Sequence, residues 1–153
     1  MQSLTPALGA IAERLGVKSV LIMRSDPSSM VVAATAGPAS AHYRVGGVGQ
    51  KAGDASDRVP LYCERVVDGG EALFVRDSRV DATFAGNEDE TEFGLSNYLG
   101  LPIRSPDGHV VGTVCVLDDH SRVYDVADHH ELDTLRNSVE AVLRSDATAL
   151  ATE

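Results

Sequence analysis

Two nearly continuous apolar runs, Asn97 to Ile103 (NYLGLPI) and His109 to Asp118 (HVVGTVCVLD), flank the tetrapeptide Ser105-Pro106-Asp107-Gly108. Proline, aspartate and glycine in that order favour a tight turn, so the two runs read as the arms of a β-hairpin. Neither arm alternates apolar with polar residues, which is the pattern of strands covered on both faces. The hairpin therefore belongs in the middle of a sheet, and the other elements must cover both of its sides.

Those elements can be placed in turn. Thr5-Pro6 reads as a helix start, with the hydroxyl free to cap and Leu8, Ile11 and Leu15 recurring at helical spacing, which predicts a helix over 6–15. SVLIMR and MVVAATAG, separated by Asp26-Pro27-Ser28-Ser29, predict a first hairpin over 18–36. The glycine-, alanine- and serine-rich segment that follows is expected to be irregular, with a short strand near Tyr43 to Val45. Asp57 is placed as the cap of a helix carrying Val59, Tyr62, Cys63, Val66 and Val67 on one face, closed by Gly69-Gly70. ALFVRD is expected as a short strand. From Asp81 to Glu92 five acids and no base suggest a solvated loop with a helical turn around Ala82 to Phe84, whose spacing does not match a calcium loop. Asp125 caps a last helix over 125–146, in which Leu132, Leu135, Val139 and Val142 form a seam suited to another helix. This order predicts a single α+β domain over 1–153, with a central antiparallel sheet and its terminal helices together on one face.

Composition bounds what such a domain can contact. The formal net charge of −10 disfavours nucleic acid and anionic membrane surfaces. No apolar run approaches the roughly 18 residues of a membrane span, and the opening MQSLTPALGAIAERLG lacks the basic start of a signal peptide. The two cysteines, Cys63 and Cys115, are too few for a disulfide scaffold and lack zinc-site spacing. A soluble, cytoplasmic, reducing setting is expected, and the acidic, arginine-favouring chain fits a halophilic or high-GC bacterial source. His109 and His120 flank the second strand of the central hairpin, and the adjacent His129 and His130 point in different directions, so all four read as surface residues and no metal site is expected. No serine, histidine and acid arrangement and no glycine-rich phosphate loop is found, so no catalytic residue is assigned.

The stretch YCERVVDGGEALFVRDSRVDATFAGN (62–87), followed by YLGLPIRSPDGHVVGTVCVLD (98–118), resembles the GAF domain family of small sensory modules. The most specific part is a YLG-x-P strand, a PDG turn and G-T-x-C-V-L-D. The resemblance implies a sheet of five or six antiparallel strands, terminal helices on one face that often pair between subunits, and a pocket on the other face roofed by loops and short helices. Members bind cyclic nucleotides, bilins, haem or small metabolites, or nothing, so the cofactor is left unassigned. Asn87 is followed by Glu88 where cyclic-nucleotide members carry lysine, and neither cysteine has the histidine neighbour of a bilin site. A few members reduce free methionine sulfoxide. The resemblance puts their resolving cysteine near Cys63 and their nucleophile just before Tyr98, where Glu92 to Asn97 hold no sulfur.

Alternation along the second strand of the central hairpin sets Val111, Thr113, Cys115 and Leu117 on one face and Val110, Gly112, Val114 and Val116 on the other. The valine face suits helix packing, while the hydroxyl and thiol suit a partly polar pocket. Tyr62, Cys63, Asp77, Phe84 and Tyr98 are the other expected pocket residues, since small-ligand sites combine aromatic walls with a few polar groups. The expectation is a sensory domain, homodimeric through its terminal helices, that binds a small molecule or partner and signals to an effector, within a longer protein or as a standalone module. The alternatives left open are a methionine sulfoxide reductase and a ligand-free dimerisation scaffold.

Overall fold

In the computed structural model, which describes residues 1–151, the central hairpin is formed by β5 (Asn97–Arg104) and β6 (Val110–Asp118). The first hairpin is β1 (Ser19–Ser25) and β2 (Ser29–Ala36), with β3 (Val48–Gln50) and β4 (Leu73–Val75) as short edge strands. Every pairing is antiparallel, in the order β3-β2-β1-β6-β5-β4. The continuous apolar runs are accordingly inner strands, and each edge is only three residues long, a length that limits edge-to-edge association.

The helices divide between the two faces. α1 (Thr5–Leu15) and α4 (Val126–Ser145) cover one side, where Leu8, Ile11, Leu132, Leu135 and Val139 meet Val114 and Val116 of β6. α2 (Tyr62–Gly69) and α3 (Glu88–Phe93) lie on the other, over Leu21, Met30, Tyr98, Cys115 and Leu117. Both cores are built from opposite pleats of the same strands, as alternation requires. Two bulges break it: in β2, Ile22 pairs with Ala34 and Met23 with Val32, so the extra residue Ala33 joins Ala34 in the helix-side core, and in β6, Ile103 pairs with Gly112 and Arg104 with Val110, so the extra residue Val111 packs with that core too.

Several local expectations are corrected. α1 begins at Thr5 after a 3-10 turn over Gln2–Leu4, and the Thr5 hydroxyl contacts the Gln2 side chain instead of capping. Tyr43 to Val45 form no strand, and β3 lies further on. α2 starts at Tyr62, not beside Asp57, because Pro60 excludes Val59 from helical geometry. Its first turn is fixed by Glu64, which reaches back to accept from the Leu61 N–H at 3.0 Å. The acidic segment is not a solvated loop: Asn87 caps α3 by accepting from the Glu90 N–H, which turns Asp89 inward. Asp125 caps α4 as expected. Of the seam, Leu132, Leu135 and Val139 are buried against the sheet of their own chain and Val142 is half-buried against the same core, so it offers no free stripe to a second copy.

Candidate functional site

On the face away from α1 and α4, Met23 of β1 and Met30 and Val32 of β2 form an apolar floor. The loop after β2, the start of α2 and the inner side of α3 stand over it and enclose a cavity of about 80 Å³. Three polar anchors hold this roof. The buried Glu64 carboxylate accepts from the backbone N–H groups of Ala52, Gly53 and Leu61 at 2.8–3.0 Å, tying the segment before α2 to the helix. Glu90 accepts from the Ser78 hydroxyl at 2.7 Å, and Asn87 donates to the Phe84 carbonyl at 2.8 Å, which together fix α3. With Glu90 turned away from the cavity to the buried Ser78, the i, i+4 pair Asp89 and Phe93 faces the cavity.

Asp89 is the polar centre of the site. Its Oδ1 accepts from the Tyr43 hydroxyl at 2.6 Å, which closes the loop after β2 onto α3. Phe93 stacks on His42 at 4.9 Å and meets Tyr43 edge-on at 5.1 Å. Burial raises the Asp89 carboxyl to about 6, a rise opposed by the Tyr43 hydrogen bond and increased by Glu88 and Glu92. Glu88, also on the cavity, is raised by its own burial and by Glu92, against the outlying Arg58. Among the described residues no lysine or arginine lines the cavity.

A carboxyl held above its ordinary value binds its proton more tightly in the folded chain than in the unfolded one. Asp89 therefore favours folding most fully below pH 4, and that contribution is lost as pH rises through about 6. An Asp89→Asn substitution keeps an acceptor for Tyr43 and removes the charge. It is expected to stabilise the ligand-free protein by up to about 3 kcal/mol near pH 7 and to change it little near pH 4. Thermal melts of the two proteins across this range check the sign; a variant less stable at pH 7 would contradict it.

Of the residues expected at the pocket from sequence, Cys63 lines the cavity. Tyr62, Phe84 and Tyr98 do not. Tyr62 stacks on Tyr98 at 4.7 Å, leans on Phe84 at 5.3 Å and donates to the Leu95 carbonyl, so these rings are a packed layer beside the cavity. Thr113 and Cys115 lie on the pocket side of the sheet, as alternation places them, but beneath the packed roof and outside the cavity wall. The Thr113 and Tyr98 hydroxyls have no conventional hydrogen-bond partner, and the thiol of Cys115 sits beside both. Asp77 lies off the site. It caps the 3-10 turn at Ser78–Val80 and pairs with Arg79 at 2.9 Å, a hydrogen bond that holds its carboxyl below the ordinary value.

Sequence reasoning missed Met23, Met30, His42, Tyr43 and Asp89. The pattern Asn87-x-x-Glu90 was a readable helix start, and it would have shown which acid faces inward. Nothing in the sequence alone brings Tyr43 to Asp89, 46 positions apart.

The thiols are unsuited to attack as they stand. Burial, then the Asp89 charge, push both Cys63 and Cys115 well above the ordinary thiol range, and both are unbonded. Nucleophilic sulfur requires the thiolate, which an electropositive setting favours and this one opposes. Elsewhere, Asp118, Asp119 and His120 bring their ligand atoms within 4.8 Å of one another. Asp118 is already committed to the protein: it accepts from Arg122 at 2.9 Å and from the Asp119 N–H, and Arg122 also reaches the Leu15 carbonyl to close the end of α1.

Comparison with solved structures places this architecture. The GAF domain of a phosphoenolpyruvate-protein phosphotransferase from Coxiella burnetii superposes with a TM-score of 0.72 at 18% identity, over 96% of this chain and 85% of that one. The free methionine-R-sulfoxide reductase of Neisseria meningitidis, solved with its substrate, gives 0.69 at 18% identity over 95% and 78% of the two chains. A far-red cyanobacteriochrome photoreceptor gives 0.67 at 15% identity over 94% and 85%. At these identities the likeness is one of fold. No curated protein matches the sequence. Among the described residues no helix is long and apolar enough to cross a membrane. The family model for the GAF domain matches residues 2–142, nearly the whole chain; with the antiparallel sheet, paired terminal helices and roofed cavity it meets here, the chain belongs to the GAF domain family of signalling and sensory modules.

Proposed function

We propose that this domain is a sensor that binds a small molecule in the Asp89 cavity and passes the change to α1 and α4, and through them to a signalling effector. The observation that carries the reading is the position of the cavity. Its floor is β1 and β2, whose opposite pleats form the core under the terminal helices. A ligand that moves Met23 or Val32 thus acts on strands whose next residues, Ile22 and Ala33, belong to the helix-side core. Interiors this closely packed transmit such shifts. Arg14 of α1 bridges to Glu131 of α4 at 2.6 Å, so the two helices present one joint surface to a partner. Two copies would pair through the outer faces of these helices, since the apolar seam of α4 is occupied within the chain. The free thiols and acidic surface suit a reducing cytoplasm.

A metabolite screen by thermal shift tests the sensor reading. At least one compound is expected to raise the melting temperature by 2–4 °C for each ~1 kcal/mol of ligand stabilisation. A broad screen without any shift would favour the ligand-free scaffold. Light scattering of the intact chain over a range of concentrations reports whether copies pair. The second reading, sulfoxide reduction, is favoured by the fold of the Neisseria enzyme, and the protonated thiols oppose it. Thiol-dependent turnover of free methionine sulfoxide that disappeared in Cys63→Ser would revive it.

A further inference from the structure

The cavity has a chemical bias that narrows its ligand. Two carboxylates line it, and both have unused capacity. Tyr43 occupies Oδ1 of Asp89 and leaves Oδ2 without a hydrogen-bond partner among the described residues, while the Glu88 carboxylate has none. Rings and thioethers, Tyr43, Phe93, Met23 and Met30 among them, share the rest of the wall with aliphatic side chains, His42 and the Cys63 thiol. Among the described residues no lysine or arginine faces the space to neutralise an incoming anion, and the His42 ring is stacked on Phe93. An anionic ligand would place like charges together in a partly desolvated site. A hard divalent ion, which takes about six to eight oxygen ligands, would meet two carboxylates among methyl groups and rings. A carbon-bearing ammonium fits both halves of the wall, because its N–H groups bond the carboxylates and its methylenes lie against rings whose faces attract positive charge.

We propose that the Asp89 cavity takes the ammonium head of a small organic amine, an inference that rests on the cavity being the sensory site. At about 80 Å³ the space has the volume share of two or three waters, enough for a head group and its first carbons. Val48 on the rim is 56% exposed and Glu88 is partly exposed, so the mouth lies between β3 and the start of α3 and a ligand's remainder extends there. The amine recruits the charge that burial otherwise disfavours, and the site is organised for a bound cation at the expense of its empty state.

The chain carries its own reporters. Of its three methionines, Met23 and Met30 line the cavity, while Met1 packs against the helix-side core on the opposite face. The intact protein, labelled with ¹³C at the methionine methyl groups, is titrated with butylammonium, butanol and butyrate, three probes of similar size and different charge. Butylammonium is expected to shift the Met23 and Met30 signals saturably, with smaller effects at Met1 and at least fivefold weaker binding for the other two probes. Asp89→Asn is expected to weaken the amine at least fivefold while leaving butanol unchanged, a comparison that separates lost charge from lost fold. Tighter binding of butyrate or butanol at Met23 and Met30 would overturn the amine assignment and keep the cavity as a ligand site. No saturable shift from any of the three would overturn the amine assignment, and with a metabolite screen also lacking hits it would remove the sensory reading itself.

Discussion

Replacing Gly112 with alanine is expected to destabilise the whole domain by about 3 kcal/mol or more. Gly112 pairs with Arg24 of β1 on one side and Ile103 of β5 on the other. A Cβ built there would lie 2.0 Å from the Met23 carbonyl oxygen and 3.1 Å from its carbon. Both are backbone atoms of an inner strand, so no side chain can rotate to make room and β1 must shift relative to β6. The glycine does not serve here by allowing a left-handed conformation; it serves by having no side chain where two strands approach. Urea denaturation should show the loss, and the melting temperature should fall by roughly 6–12 °C. Gly9→Ala in α1 is the matched control. Nothing lies within 4 Å of its added methyl, and helix propensity predicts a gain of about 0.5–1 kcal/mol. A Gly112→Ala protein as stable as the parent would show that β1 is free to shift.

The same residue marks how far the sequence could be read. The hairpin around Ser105-Pro106-Asp107-Gly108 was legible because turn chemistry and unbroken apolarity are local signals, and the sheet followed from where such a hairpin must sit. The division of β6 into a helix face and a pocket face was legible from period-2 alternation, up to the bulge at Val111, which depends on how β6 meets β5 and leaves no mark in either strand alone. The seam of α4 was correctly periodic, but periodicity does not say what covers a stripe, and here it is the chain's own sheet. The cavity was least legible. Its aromatic candidates were the right residue type in the right layer, yet Tyr62 and Tyr98 stack on each other, and Tyr98 lies over Gly100, whose Cβ would fall 2.1 Å from its hydroxyl. The groups that do face the space come from the irregular segment after β2 and from the short α3, and they meet through the Tyr43 to Asp89 hydrogen bond. Such a contact between two segments distant in sequence has no periodic signature.

Glu64 couples this roof to the fold, and Glu64→Gln is expected to loosen the roof by about 2 kcal/mol while most of the sheet keeps its stability. The carboxylate is 1% exposed and is surrounded by three backbone donors, Ala52 and Leu61 on Oε1 and Gly53 on Oε2. An ionised carboxylate accepts all three. A glutamine side chain of nearly the same shape can serve two of them with its oxygen, but its NH₂ then faces the third N–H, donor against donor, and that buried group is left without a partner. Hydrogen exchange at single residues separates this from a global effect. The amides of Ala52, Gly53 and Leu61 should exchange roughly thirtyfold faster at a local cost of about 2 kcal/mol, while those of β5 and β6 change little. Gly112→Ala should instead speed exchange throughout the slowest core. Because Leu61 and Cys63 stand on the cavity wall just beyond this anchor, Glu64→Gln should also weaken whatever binds there, through a wall no longer held in place and with no charged contact to the ligand removed. If all amides accelerated together, Glu64 would be an integral part of the cooperative core. If none did, the segment from Ala52 to Leu61 would be held by contacts other than this carboxylate.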